Sequence, residues 1–157
     1  MNFIMNFKTY KNILDENEKI KLFKFVKKEL KNCGETYPGL QTECYLHERK
    51  EMKDFVKKIN KYIKPYKIVK CWGVLSDGKA ICWHNHIDYK YSFVYYLKNP
   101  EKSGTMFLNL KKRKHYDFIS YSKGEENSLL KFESSLYHST PNTHKEIKRY
   151  TIAFDVI

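Results

Sequence analysis

The chain has 157 residues, of which 41% are hydrophobic and 31% are charged, and its formal net charge is +12. This length suits one domain with a hydrophobic core, spanning residues 1–157, and the composition excludes an intrinsically disordered chain. No run of residues approaches the roughly 18 apolar positions that a membrane-spanning helix needs, so we expect no membrane partner.

Two amphipathic helices are predicted in the first part of the chain, within about residues 15–64. Residues 15–32 place apolar side chains on one face, with Asp15 as the N-cap and Gly34 just past the end. Residues 48–64 repeat this pattern after a loop. Most lysines of both segments fall on the solvated face, so much of the positive charge is explained without an acidic partner.

After Pro65 the pattern changes to short strands, which continue over about residues 66–157. We predict strands at YKIVKCWGVL, AICWHNHI, YSFVYYL, TMFLNL, YDFISYS, SLLKF and RYTIAFDVI, with turn residues between them. Two helices followed by seven or eight strands indicate a mainly β domain. Its helices are expected to pack on one side of an antiparallel sandwich or barrel.

The cysteines and the first residues indicate the compartment. Cys33, Cys44, Cys71 and Cys82 show no CxxC spacing, so we expect reduced, mostly buried thiols rather than a zinc site or a disulfide framework. The opening MNFIMNFKTYKN lacks the charged start and long apolar run of a secretory signal. The sequence therefore predicts a cytoplasmic location, in the producing or a host cell.

Candidate metal ligands are concentrated in the segment HNHID. His86 and Asp88 are two positions apart on a predicted strand, so both side chains would project to the same side and meet one metal ion. His138, at the end of the apolar strand SLLKF, is the candidate third ligand. Two histidines and one carboxylate leave several coordination positions open, which favours Fe(II) over a closed structural zinc site.

Arg149 is the candidate anion-binding residue. It opens a largely apolar strand eleven positions after His138, and an arginine that points into a barrel needs a carboxylate partner. Thr151 lies two positions further and shares its side of the strand. A dicarboxylic co-substrate would bind the metal at one end and contact Arg149 and Thr151 at the other.

The order HxD, His, RxT resembles the 2-oxoglutarate- and Fe(II)-dependent oxygenases. The segments YSFVYYLKNPEKSGTMFL and SLLKFESSLYHSTPNTHKEIKRYTIAFDV carry the most specific part of this resemblance. It covers most of the chain and is greatest to small prolyl-hydroxylase-like members of the type found in phage and bacterial genomes. The resemblance implies a double-stranded β-helix, the cupin-like jelly roll, braced by two N-terminal helices.

The resemblance also implies the site. His86, Asp88 and His138 would bind Fe(II), while Arg149, Thr151 and Tyr96 would bind 2-oxoglutarate. The reaction would also use O₂, and the resemblance implies no catalytic residue beyond the metal site. Relatives with an HxHP version of the metal-binding stretch align their first histidine with His84. His84 is therefore the alternative ligand beside His86, with Asp88 outside the coordination sphere.

The function implied is that of a dioxygenase that hydroxylates a protein side chain, with peptidyl-proline as the leading substrate and a protein or peptide as the partner. The net charge of +12 raises the alternative of the same chemistry on nucleic acid, as oxidative demethylation. A third interpretation, from another class, is a non-catalytic jelly-roll binding module.

Overall fold

A computed structural model describes residues 7–32, 39–76, 78–108, 119–144 and 146–157. Two helices, α1 (Glu16–Glu29) and α2 (Lys53–Ile63), confirm the two predicted segments. Asp15 caps α1 as expected, because its carboxylate accepts the Glu18 N–H at 2.9 Å and the Glu18 side chain accepts the Asp15 N–H. The predicted end signal, Gly34, lies outside the described residues.

In the described part of the chain, ten strands form two antiparallel sheets. The larger sheet has seven strands in the order β1-β8-β5-β10-β4-β3-β2, and the smaller sheet has three in the order β7-β6-β9. The strands are β1 (Phe7–Lys11), β2 (Lys31–Asn32), β3 (Leu40–Gln41), β4 (Ile68–Ser76), β5 (Tyr91–Lys98), β6 (Met106–Leu108), β7 (Ile119–Tyr121), β8 (Ser128–Glu133), β9 (His138–Ser139) and β10 (Arg149–Val156). Two short 3₁₀ turns, Leu46–Glu48 and Lys50–Met52, precede α2.

The central strand, β10, separates the hydrophobic core from the interior of the roll. Alternate residues of a strand point to opposite faces. One face packs with the helices in the main core through Tyr150, Ile152, Phe154 and Val156. The other face lines a cavity through Arg149, Thr151, Ala153 and Asp155.

Strand β5 alternates in the same way. Tyr95 belongs to the core beneath the helices, whereas Tyr96 belongs to a smaller cluster with Phe107, Leu130 and Phe132 between the two sheets. These two tyrosines therefore face opposite ways, as their adjacent positions on a strand require. The helices brace one sheet and leave the space between the sheets for the cavity.

Two strand predictions differ from the structure. The segment AICWHNHI is not a ladder strand, and only His84 forms a bridge, which pairs it with His138. Side chains replace the regular ladder here, since the Ile81 N–H donates to Thr140 Oγ1 at 3.0 Å and the Ala80 N–H donates to Asn142 Oδ1 at 2.8 Å. Conversely, β1 is a strand that was not predicted from the sequence, and it pairs with β8 at the edge of the large sheet.

Two expectations from the sequence, on membrane-spanning helices and on the cysteines, can be compared with the structure. Within the described ranges, no helix is long and apolar enough to cross a membrane. Cys44, Cys71 and Cys82 form no disulfide, and only Cys71 is buried. Cys82 is exposed, against the expectation of burial, because its segment is an irregular connection rather than a paired strand. Cys33 lies outside the described residues.

Candidate metal centre and co-substrate cavity

Three histidines converge inside the roll. His84, His86 and His138 place one ring nitrogen each within 4.8 Å of one another. Their ring centroids lie 4.3 Å apart for His84 and His138, and 5.1 Å apart for each of the other two pairs. The His86 N–H donates to the Ser134 carbonyl at 2.8 Å, which ties this residue to the end of β8. Together with the bridge between His84 and His138, this hydrogen bond fixes the backbone positions of all three residues.

Each of these rings is fixed through its Nδ1 atom. His84 Nδ1 lies 2.7 Å from the Cys82 carbonyl oxygen, and His138 Nδ1 lies 2.9 Å from the Leu136 carbonyl oxygen. A carbonyl oxygen only accepts, so both Nδ1 atoms carry the proton and both Nε2 atoms carry a lone pair. His86 Nδ1 likewise lies 2.8 Å from the Asp155 carboxylate. Three Nε2 atoms are thus presented as ligands for one cation.

Burial keeps two of these imidazoles neutral. Removal from water and, secondly, the neighbouring His84 together lower the pKa of His138 to about 3. Burial also lowers the pKa of His84 below its usual value. The neutral imidazole is the form that binds a metal, so the apolar surroundings favour metal binding over protonation.

Asp88 does not join this group. The Tyr89 N–H donates to the His86 carbonyl at 3.0 Å, which closes a turn directly after His86. The strand alternation that would have placed Asp88 beside His86 therefore ends, and Asp88 is exposed at the rim of the cavity. The residue that completes the cluster is His84, the alternative ligand of the sequence analysis.

The buried carboxylate of the site is Asp155, which the sequence analysis did not identify. Its side chain is 1% exposed and accepts hydrogen bonds from His86 and from Ser92 Oγ, the latter at 2.6 Å. A signal for it exists in the sequence, because Asp155 is an even number of positions from Arg149 and Thr151 and therefore projects to the same face of the strand. It was missed because no ligand spacing connects it to the histidines.

A cavity of about 430 Å³ joins the histidines to the predicted anion-binding residues. Its wall includes all three histidines together with Arg149 and Thr151, which are each 3% exposed. The structure therefore brings both predicted β10 residues into the same chamber as the metal-binding group. A buried guanidinium and a buried hydroxyl can together accommodate a carboxylate.

Tyr96 lies behind the wall of this cavity. Its ring is fully buried, and the Arg149 guanidinium carbon lies 5.3 Å from the ring centroid. Its hydroxyl lies 2.9 Å from Thr105 Oγ1 and 3.2 Å from Ser122 Oγ. Thr105 does line the cavity, so Tyr96 supports two wall residues, Arg149 and Thr105, from behind.

Comparison with known proteins identifies the fold. The sequence matches no model of a known protein family and no curated protein. The structure superposes on the α-ketoglutarate-dependent epimerase SnoN from nogalamycin biosynthesis with a TM-score of 0.77, at 10% identity over 96% of this chain and 77% of that one. It superposes on a prolyl hydroxylase from Trichoplax adhaerens with a TM-score of 0.70, at 16% identity over 96% and 83%. The chain has the fold of the 2-oxoglutarate- and Fe(II)-dependent oxygenases.

A third solved structure with this fold contains a metal ion together with 2-oxoglutarate. HygX from Streptomyces hygroscopicus, with nickel and 2-oxoglutarate bound, has a TM-score of 0.72 and 10% identity, over 97% of this chain and 82% of that one. These likenesses confirm the predicted jelly roll with its bracing helices. The same fold therefore occurs in proteins of different activity, an epimerase and a prolyl hydroxylase among them.

Proposed function

We propose that the chain is an Fe(II)- and 2-oxoglutarate-dependent oxygenase whose metal is held by His84, His86 and His138. The observation that carries this proposal is the convergence of one ring nitrogen from each of three histidines in a cavity that also contains Arg149 and Thr151. A metal-binding group and an anion-binding pair in one chamber suit a co-substrate that has a keto-acid at one end and a carboxylate at the other.

The ligand set fits a reactive ferrous site. Three histidines leave coordination positions open, whereas a closed structural zinc site uses four protein ligands. Imidazole nitrogen is a suitable donor for divalent iron, and here each ring is oriented by a hydrogen bond at its other nitrogen. When bound, iron together with 2-oxoglutarate and O₂ supplies the oxidising power for attack on an unactivated C–H bond.

The protein supplies the binding and orientation of the co-substrate. Arg149 offers a planar fork of N–H donors to the distal carboxylate, and the Thr151 hydroxyl can donate to the same group. Burial strengthens this interaction, because both residues lie in a wall that is almost closed to water. Tyr96 holds the guanidinium from behind, which limits its rotation.

A protein side chain, with peptidyl-proline as the leading case, is the proposed substrate class. Two observations support it: the Trichoplax protein is a prolyl hydroxylase in complex with a peptide fragment, and a Pseudomonas putida prolyl-4-hydroxylase also shares the fold at a TM-score of 0.69. Apolar side chains at the cavity, Trp72 and Ile87, suit a proline ring. The nucleic-acid alternative was motivated by the net charge of +12, and one contributor to that charge, the basic segment NLKKRKH (109–115), lies outside the described residues.

The test is 2-oxoglutarate turnover. The chain is loaded anaerobically with Fe(II), exposed to O₂ with 2-oxoglutarate and a library of proline-containing peptides, and assayed for succinate and for a gain of one oxygen atom in the peptide. His138→Ala should abolish succinate formation. His144→Ala is the matched control, because His144 is exposed and is not a member of the metal-binding group. Absence of 2-oxoglutarate turnover in the Fe(II)-loaded wild-type chain would instead support the non-catalytic binding module, and turnover without added metal would contradict the proposed metal site.

A further inference from the structure

A buried carboxylate contacts the metal-binding group without belonging to it. Asp155 accepts from His86 Nδ1 through both oxygens, at 2.8 Å to Oδ1 and 2.9 Å to Oδ2. Its side chain is almost wholly removed from water. Burying a carboxylate is unfavourable unless hydrogen bonds and opposite charge compensate, so its place beside His86 calls for a physical explanation.

Asp155 is part of a network that holds His86 from strands β5 and β10 and from the residue that follows β8. Ser92 of β5 is its Cα partner across the sheet and donates to Asp155 Oδ1 at 2.6 Å. Ser92 Oγ also lies 2.9 Å from Ser134 Oγ, and Ser134 accepts the His86 backbone N–H. The ring of His86 is therefore fixed by side chains of this network, and its backbone by the main-chain carbonyl of Ser134, a residue of the same network.

The charge of the ligand set gives this network a role. Three neutral imidazoles bring no negative charge to a divalent cation, whereas a set with one carboxylate ligand brings one. Asp155 places a carboxylate immediately behind His86, in surroundings of low dielectric where its field is only weakly screened. Its hydrogen bond to Nδ1 also leaves the His86 lone pair on Nε2 and makes that nitrogen a stronger donor.

We propose that Asp155 is the positioning residue of the metal centre. It selects the Nδ1–H tautomer of His86, fixes the plane of the ring and supplies the negative charge that the three ligands lack. The carboxylate of this site thus acts through a histidine rather than on the metal itself. This inference rests on the proposed function, since it assumes that the three histidines bind a divalent cation.

The first test is metal affinity, measured without catalysis. The metal-depleted chain is titrated with Co(II), whose visible absorption reports the ligand set, and the wild type is compared with Asp155→Asn and Asp155→Ala. Asp155→Asn preserves shape and removes the charge, and we expect it to bind Co(II) about 10- to 100-fold more weakly. The matched control is Asp54→Asn, an exposed carboxylate on α2, which should bind as the wild type does.

The second test needs no variant. In the Zn(II)-loaded wild-type chain, long-range ¹H–¹⁵N correlation spectra should show His86 as the Nδ1–H tautomer, with the Nδ1 proton shifted strongly downfield by its carboxylate partner. A His86 ring protonated at Nε2, or an Nδ1 proton without this shift, would overturn the proposal, as would wild-type Co(II) affinity in Asp155→Asn. Failure of the wild-type chain to bind Co(II) would contradict the proposed function instead.

Discussion

The backbones of His84 and His138 are hydrogen-bonded to each other in both directions. The His138 N–H donates to the His84 carbonyl at 2.8 Å, and the His84 N–H donates to the His138 carbonyl at 3.1 Å. Directly paired antiparallel residues project their side chains to the same face, and here the ring centroids are 4.3 Å apart. Two of the three clustered imidazole rings are therefore set side by side by backbone hydrogen bonds alone.

This pairing predicts which residue of HNHID completes the metal site. His84→Ala should reduce Co(II) affinity by at least 10-fold, because it removes one of three ligands. Asp88→Ala should leave the affinity within about 2-fold of wild type, since Asp88 is exposed and outside the cluster. Anaerobic Co(II) titration of both variants measures this. Loss of binding in Asp88→Ala with retention in His84→Ala would favour the HxD assignment made from sequence.

Sequence periodicity predicted which side chains share a face within a continuous strand, but not across a turn or between distant segments. Arg149 and Thr151 were placed correctly on one face, because β10 is a continuous strand in which alternation holds. Asp88 was misplaced relative to His86, because a turn held by the Tyr89 N–H interrupts the assumed strand. Asp155 was missed because its partner, His86, is 69 positions away in the chain and only the folded sheet brings them together.

Co-substrate binding should depend on the shape as well as the charge of Arg149. Arg149→Lys keeps a cation but loses the planar fork, so we expect the KM for 2-oxoglutarate to rise about 10-fold or more, the equivalent of one charged hydrogen bond. Steady-state succinate formation at varied 2-oxoglutarate measures it. Lys148→Gln, at the exposed neighbouring position, is the control and should leave this KM unchanged. An unchanged KM in Arg149→Lys would contradict the assigned carboxylate contact.

Metal binding should stabilise the fold. A ligand at 100 times its Kd stabilises the native state by about 2.7 kcal/mol, which corresponds to a rise in Tm of roughly 5–10 °C for a chain of this size. Thermal unfolding of the chelator-treated chain with and without Zn(II) measures the shift. His138→Ala should show no such rise, because its metal-binding group is incomplete. An equal rise in this variant would indicate that the cation binds elsewhere.

The packing of α1 on the large sheet requires glycine at position 73. A Cβ added to Gly73 would lie 2.7 Å from Val26 Cγ1 and 3.1 Å from Thr42 Cγ2. Gly73→Ala should therefore destabilise the chain by about 1–3 kcal/mol through overpacking, as measured by urea unfolding. The double variant Gly73→Ala/Val26→Ala removes the colliding methyl group. It should be less destabilised than the sum of the two single changes; strict additivity would show that this contact is not the cause.

The position of β10 in the large sheet bears on how the protein folds. It lies between β4 and β5 but follows both in the chain by some fifty residues or more, so the centre of the sheet closes only through pairings between distant segments. Such pairings are slow to form, because loop-closure entropy is lost before the contacts are made. Arg149, Thr151 and Asp155 all enter with this strand. Until β10 pairs, the three histidines would therefore lack Arg149 and Thr151 in the same cavity wall and the Asp155 carboxylate beside His86.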